Sequence, residues 1–349
     1  MIKSLKSFKY FTPFVLYILA LLSFNGNALI CWTPLLYTFF LIPFVELFIK
    51  ADPKNLDEVE EALAKKNKAY DFILYAAVIM QYYSLWVFFN SLKQEQLSTI
   101  DITGRVLSMG LLCAAFGINV AHELGHRVNK MEQTFAKMLL LTSLYMHFFI
   151  EHNKGHHKHV ATPHDPSTAK YNQSVYAFWP QTLIGTYLSA WKIANEEVGK
   201  KGKRWYSLQN EMLLFQIIQL LFLFAIYYFF GAISALLFIV AAFMGGLLLE
   251  TVNYIEHYGL SRNTTSEEQY ERVQPHHSWN SNHIIGRLML FELSRHSDHH
   301  YLASRKYQIL RSFDNAPQMP TGYPGMILLS LFPPLWFKIM HQQMKKYKL

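Results

Sequence analysis

Long apolar runs dominate the chain and are separated by short polar segments. Six of them, approximately 11–29, 31–49, 70–91, 103–121, 212–230 and 232–251, are long enough to cross a bilayer, which takes about 20 helical residues. Their spacing pairs them. The first two form a tight hairpin around Asn25, Gly26 and Asn27, and the last two are divided by little more than Gly231. The pattern predicts an all-α integral membrane protein with six transmembrane helices in a single membrane domain over 1–349. Composition agrees: only 16% of residues are charged, against about 25% in soluble domains. The start, M-I-K-S-L-K-S-F-K-Y, is basic and precedes an apolar run, as a signal peptide would. No small-residue cleavage site closes that run, so it reads as a retained first helix.

Positive loops set the expected orientation. Lys3, Lys6 and Lys9 put the N-terminus in the cytoplasm, and the loop from Lys50 to Lys68 lies on the same side. Helices 1–4 occupy 11–121 and helices 5–6 occupy 212–251. The regions 122–211 and 252–349 then form a helical cap in two parts on the cytoplasmic face of the membrane. Two further apolar stretches, Phe135 to Ile150 and Tyr323 to Met340, are read as buried or interfacial. The first is short, and Pro333 and Pro334 interrupt the second. Keeping 135–150 out of the membrane also keeps His122 and His152 on one side.

The charge of +8 is scattered in short basic runs, which fits cytoplasmic loops or long-range attraction of an acidic partner rather than nucleic-acid binding. Cys31 and Cys113 are the only cysteines. They supply neither a disulfide framework nor a thiolate metal site.

The candidate chemistry lies in the sixteen histidines. Four groups stand out: H-E-L-G-H (His122, His126), E-H-N-K-G-H-H (His152, His156, His157), N-Y-I-E-H-Y-G (His257) and R-H-S-D-H-H (His296, His299, His300). Residues four apart share a helix face, so His122/His126, His152/His156 and His296/His300 can converge in pairs. His157 points about 100° away from His156, so neighbours can serve different metals. Nine imidazoles exceed the four ligands of one zinc ion and suit two ions. Imidazole accepts zinc, copper, iron or nickel. The full pattern of soluble di-iron bundles, two Glu-x-x-His motifs with two further Glu ligands, is absent.

Ligating imidazoles commonly donate their second N–H to a carboxylate. Glu123, Glu151, Asp165, Glu256 and Asp298 stand beside the clusters in that supporting role, and His277 is a further candidate for it among His276, His277 and His283. His147, His159, His164 and His341 sit at no convergent spacing.

The four motifs together resemble the histidine boxes of the integral membrane non-haem di-iron proteins. N-Y-I-E-H-Y-G in particular resembles the signature of AlkB-type membrane alkane 1-monooxygenases. A-T-P-H-D-P-S, Q-P-H-H-S-W-N-S-N-H and S-R-K-Y-Q are similar to that subgroup, and the likeness spans about 100–325. The doublet His276–His277 departs from the single histidine expected there. The resemblance implies that His122, His126, His152, His156, His157, His257, His296, His299 and His300 hold two iron ions. It implies O₂-dependent hydroxylation of the terminal carbon of a medium-chain n-alkane to a 1-alkanol. Electrons would come from rubredoxin, reduced by an NAD(P)H-dependent rubredoxin reductase. Two cysteines cannot form the paired C-x-x-C motifs of a fused rubredoxin, so the donor is expected to be a separate protein.

An alkane dissolved in the bilayer would enter an apolar channel between the helices without crossing water. Trp86, Phe88 and Phe89 are candidates to set its depth, and Gly245 and Gly246 to make room for substrate. Three other readings compete. H-E-L-G-H also fits a zinc protease, which leaves seven histidines without a role. A haem protein needs only one or two axial ligands per haem, and a transporter places its ligands near the midplane. A related xylene or fatty-acyl hydroxylase, or a desaturase, would share most of the ligands.

Overall fold

The computed structural model describes residues 6–94, 96–266 and 269–348. The apolar runs form six helices long enough to span a membrane: α1 (Lys6–Asn25), α2 (Ala28–Glu46), α4 (Ala69–Ser91), α5 (Thr99–Gly125), α9 (Glu211–Phe230) and α10 (Ala232–His257). A short polar helix, α3 (Glu58–Lys66), links α2 to α4. Between α5 and α9 lie α6 (Lys130–Leu141), α7 (148–159) and α8 (Val175–Lys200). After α10 come a small hairpin, β1 (Thr264–Ser266) and β2 (Gln269–Tyr270), then α11 (Ile284–Met289), α12 (His296–Tyr301), α13 (Tyr323–Ser330) and α14 (Pro333–Tyr347). The protein is thus a mostly helical multi-pass membrane protein.

α5 is the centre of the bundle: 89% of its apolar window is buried inside the protein, against 17% for α2 and α9, which face outward. It extends beyond the expected 103–121 at both ends. Ser98 and Asp101 cap its start reciprocally: Ser98 Oγ accepts the Asp101 N–H at 3.2 Å, and Asp101 accepts the Ser98 N–H at 3.1 Å, a capping box that satisfies otherwise orphaned donors. At its other end the helix continues through His122 to Gly125 because that turn is buried in protein. Arg105, fully buried on α5, donates to Ser91 O at 2.7 Å and to Gly26 O at 2.8 Å. The guanidinium satisfies turn carbonyls that would otherwise lack partners in the apolar phase.

Glycines let α10 approach α5 closely. A Cβ on Gly245 would lie 2.6 Å from Cys113 Cβ, and one on Gly246 would lie 3.2 Å from the Tyr145 ring. Gly245 therefore serves close contact with α5 and Gly246 packs under Tyr145, so neither opens space for substrate. Gly245→Ala is expected to destabilise the protein by about 1–3 kcal/mol through overpacking, seen as a lowered thermal midpoint in detergent. Trp86 is also corrected: it is 56% exposed on the outer surface and stacks on Tyr83. Phe88 and Phe89 are buried, Phe89 against Phe230 and Phe238.

The two interrupted apolar stretches stay out of the set of spanning helices. α6 ends at Leu141, and the chain turns through Leu144, at φ 48°, before α7 begins. The second stretch divides into α13 and α14 at Pro333. Trp336 of α14 packs on Tyr254 and Tyr258 at the end of α10, with ring centroids 5.1 and 5.3 Å apart. Glu46, at the end of α2, accepts the Gly286 N–H of α11 at 2.7 Å. These contacts hold the non-spanning segments against the end of α2 and the end of α10, which carries His257.

Candidate metal centre

Four separate parts of the chain meet at one place: the end of α5, α7, the end of α10, and α12. Their imidazoles form two groups, His122, His126, His152, His157 and His299 in one, and His156, His257, His296 and His300 in the other. Within each group the candidate ligand atoms lie within 4.8 Å of one another. The groups adjoin, with the His157 and His300 ring centroids 4.5 Å apart.

The nitrogens face inward. In the five-histidine group, Nε2···Nε2 separations are 2.8 Å for His122–His299, 3.1 Å for His126–His152, and 3.0 Å for both His152–His157 and His157–His299. In the four-histidine group they are 3.1 Å for His257–His296 and 2.9 Å for His296–His300. His156 Nε2 is buried without a hydrogen-bond partner. Two nitrogens each about 2.0–2.1 Å from one cation stand at about this separation. Burial, reinforced by the neighbouring imidazoles, pushes His152, His157, His296, His299 and His300 far below the usual histidine range, and His126 to about 3. The rings are therefore neutral and offer lone pairs, the form a metal requires.

Local helix geometry explains the partition, and it differs from simple four-residue pairing. His152–His156 is a π-helical turn, in which residues five apart align. His152 therefore meets His157, and His156 is turned toward His257 and His300, with ring centroids 4.9 and 4.8 Å away. In α12, His296 and His300 share a face as expected, while His299 reaches His122 in the other group.

The carboxylates divide. Asp165 Oδ2 lies 2.9 Å from His156 Nδ1 and accepts the Thr168 hydroxyl at 2.6 Å. Burial lowers the His156 pKa, but the Asp165 charge outweighs it and lifts it to about 9. Glu256 Oε1 lies 3.2 Å from His296 Nδ1 and accepts Tyr323 OH at 2.7 Å. The other expected supporting residues face elsewhere. Glu123 accepts Arg127 Nε at 3.1 Å and Nη2 at 2.5 Å. That ion pair also removes Glu123 as a free base for a zinc protease. Asp298 is drawn to Arg305 Nε at 3.0 Å and to the Arg311 N–H at 2.7 Å. Glu151 is buried with Oε1 unpaired, and burial with the Asp165 charge pushes it up to about 8.

His277 belongs to a separate trio with Glu271 and His276. Its Nδ1 accepts the Gln274 N–H at 3.0 Å, which leaves the ring proton on Nε2, 3.4 Å from Glu271. That tautomer makes Nε2 a donor rather than a ligand. His147, His159, His164, His283 and His341 join neither group. Tyr323 and Thr168 escaped sequence reasoning. Thr168 is three residues from Asp165, but Tyr323 is 67 from Glu256, and no local pattern connects them.

A narrow apolar cavity of ≈ 70 Å³ lies between the helices, and its lining includes Tyr323, which donates to Glu256. The lining also includes Phe39, Leu111, Ala114 and Leu249, together with Asn119, one turn before His122 in the sequence, and Leu293, three residues before His296.

Comparison with known proteins agrees with this arrangement. The fatty acid desaturase family model matches residues 102–343. An alkane 1-monooxygenase of Pseudomonas aeruginosa is 39% identical over 90% of this chain and 84% of its own length. One from Acinetobacter baylyi is 36% identical over 87% and 74%. This chain belongs to the membrane alkane 1-monooxygenase family. The enzyme is also similar to the hydroxylase component of a xylene/toluene monooxygenase from Pseudomonas putida, 30% identical over 74% of this chain and 68% of that protein. All four histidine motifs lie inside the matched region, so the family assignment covers every residue of the two groups.

Proposed function

We propose that the two histidine groups hold two iron ions, and that the enzyme hydroxylates the terminal carbon of a medium-chain n-alkane. The reaction would be RH + O₂ + 2 e⁻ + 2 H⁺ → ROH + H₂O. Electrons arrive singly from rubredoxin, itself reduced by an NAD(P)H-dependent reductase. The centre lies on the cytoplasmic side of the inner membrane. The observation that carries this reading is the convergence of nine imidazoles in two adjoining groups.

Bound there, iron would supply O₂ activation and oxidation of the C–H bond. The chain's own residues do the rest. Asp165 accepts the Nδ1 proton of His156, which fixes that tautomer and aims Nε2 inward, and Glu256 places a carboxyl oxygen 3.2 Å from His296 Nδ1. The apolar lining from Leu111 to Leu293 accepts a hydrocarbon end-on and excludes water. His126 and His157 are the partly exposed members of the groups, so their side is where a soluble electron donor comes nearest the centre.

Two measurements on purified protein test this together: a metal count and product analysis with reduced rubredoxin and octane. Two irons per chain and 1-octanol are expected. Zinc alone, or no terminal alcohol from any n-alkane, would overturn the reading. Parallel assays with xylene and a fatty acyl substrate separate the related hydroxylase and desaturase activities.

A further inference from the structure

Carboxylates support only one of the two histidine groups. Asp165 and Glu256, both almost fully buried, contact His156 and His296 of the four-histidine group at 2.9 and 3.2 Å. Each is locked by protein donors: Asp165 by the Ser167 N–H at 3.0 Å and the Thr168 hydroxyl at 2.6 Å, Glu256 by Tyr323 OH at 2.7 Å. The five-histidine group differs. Among the described residues, no carboxylate oxygen lies within ion-pair distance of any of its ring nitrogens. Glu123, the acid beside His122, is taken up by Arg127, whose guanidinium also contacts Asp71 at 3.1 Å. One group thus has two buried carboxyl groups beside it and the other none, in an interior where charge is weakly screened.

We infer that the two metal positions are unequal: the four-histidine group binds its ion first and more tightly, and Asp165 and Glu256 are the positioning residues that make it so. This rests on the proposed function in taking the groups as metal sites, and it adds an order of loading that ligand count alone would reverse, since the other group has the extra imidazole. Asp165, hydrogen-bonded to His156 Nδ1, offsets part of a dication's charge and strengthens that imidazole as a donor, and Glu256 places a second carboxyl oxygen 3.2 Å from His296 Nδ1. The same charge favours the more oxidised ion there, so this position has the lower reduction potential.

The test is a cobalt(II) titration of the full chain, stripped of metal and held in lipid nanodiscs, followed by visible absorption. Two resolved binding steps are expected. Asp165→Asn should weaken the tighter step by about 10–100-fold, the usual cost of losing an outer carboxylate, and leave the other in place. His126→Ala should remove the weaker step and spare the tighter. Tyr323→Phe, a milder change that keeps every charge, should weaken the tighter step several-fold, so the idea is still tested if Asp165→Asn does not fold. In the iron-loaded protein, Asp165→Asn should raise the lower of two reduction potentials. Two steps of equal affinity overturn the inference, as does loss of the weaker step in Asp165→Asn. Failure of the unaltered chain to bind any cobalt would instead overturn the metal-site reading itself.

Discussion

His300→Ala is expected to lower rubredoxin-dependent octane hydroxylation by more than about 100-fold, because even outer partners of metal ligands are worth 10–100-fold. Metal content should fall from two ions to about one per chain, since a structural or catalytic site rarely survives loss of a direct ligand. His299→Ala, one residue away, should cost as much activity but empty the other position, because His299 Nε2 faces His122 at 2.8 Å while His300 Nε2 faces His296 at 2.9 Å. The contrast between neighbours is the decisive part. Full metal content and activity in either variant would show that these imidazoles hold nothing. The fold should persist in both, checked by an unchanged elution volume in detergent, because the spanning helices are packed by apolar contacts away from the centre.

The second large effect concerns substrate length. Ala114 lines the apolar cavity on α5, eight residues before His122, or about 12 Å along a helix at 1.5 Å per residue. Ala114→Phe is expected to close the cavity at that depth and shift the enzyme toward shorter alkanes. Each methylene that no longer fits is worth about 10–200-fold in specificity, so the longest accepted alkanes should lose kcat/KM most while the shortest are spared. Competition assays with alkane mixtures, read by gas chromatography, would register the shift. A uniform loss across all lengths would mean that this cavity is not the substrate's route.

Much of the molecule was legible in the linear sequence because its signals are local. Twenty-residue apolar runs leave few alternatives to spanning helices, since backbone groups in lipid must be satisfied within the segment. The six helices of the structure correspond to the six runs. The nine histidines were legible from spacing and number. The supporting residues were not. Sequence neighbourhood placed Glu123 and Asp298 beside imidazoles, but a carboxylate goes to the strongest donor within reach, and for these two that donor is an arginine. Likewise a glycine pair in a spanning helix does not reveal whether it makes room for a ligand or for a neighbouring helix. Here Cys113 and Tyr145 occupy that space.

What the sequence by itself determined is the chemical inventory and the membrane plan: nitrogen ligands in number enough for two ions, and six hydrophobic helices to carry them. Only the tertiary structure decided how those ligands divide. A π-helical turn in α7 sends His156 away from His152, and α12 delivers His299 and His300 to opposite groups. Tyr323 arrives from far along the chain to hold Glu256. The physical reason is that hydropathy and helical period act over neighbouring residues. The direction of a side chain and the partner it finds depend on packing between segments that the chain brings together only when folded.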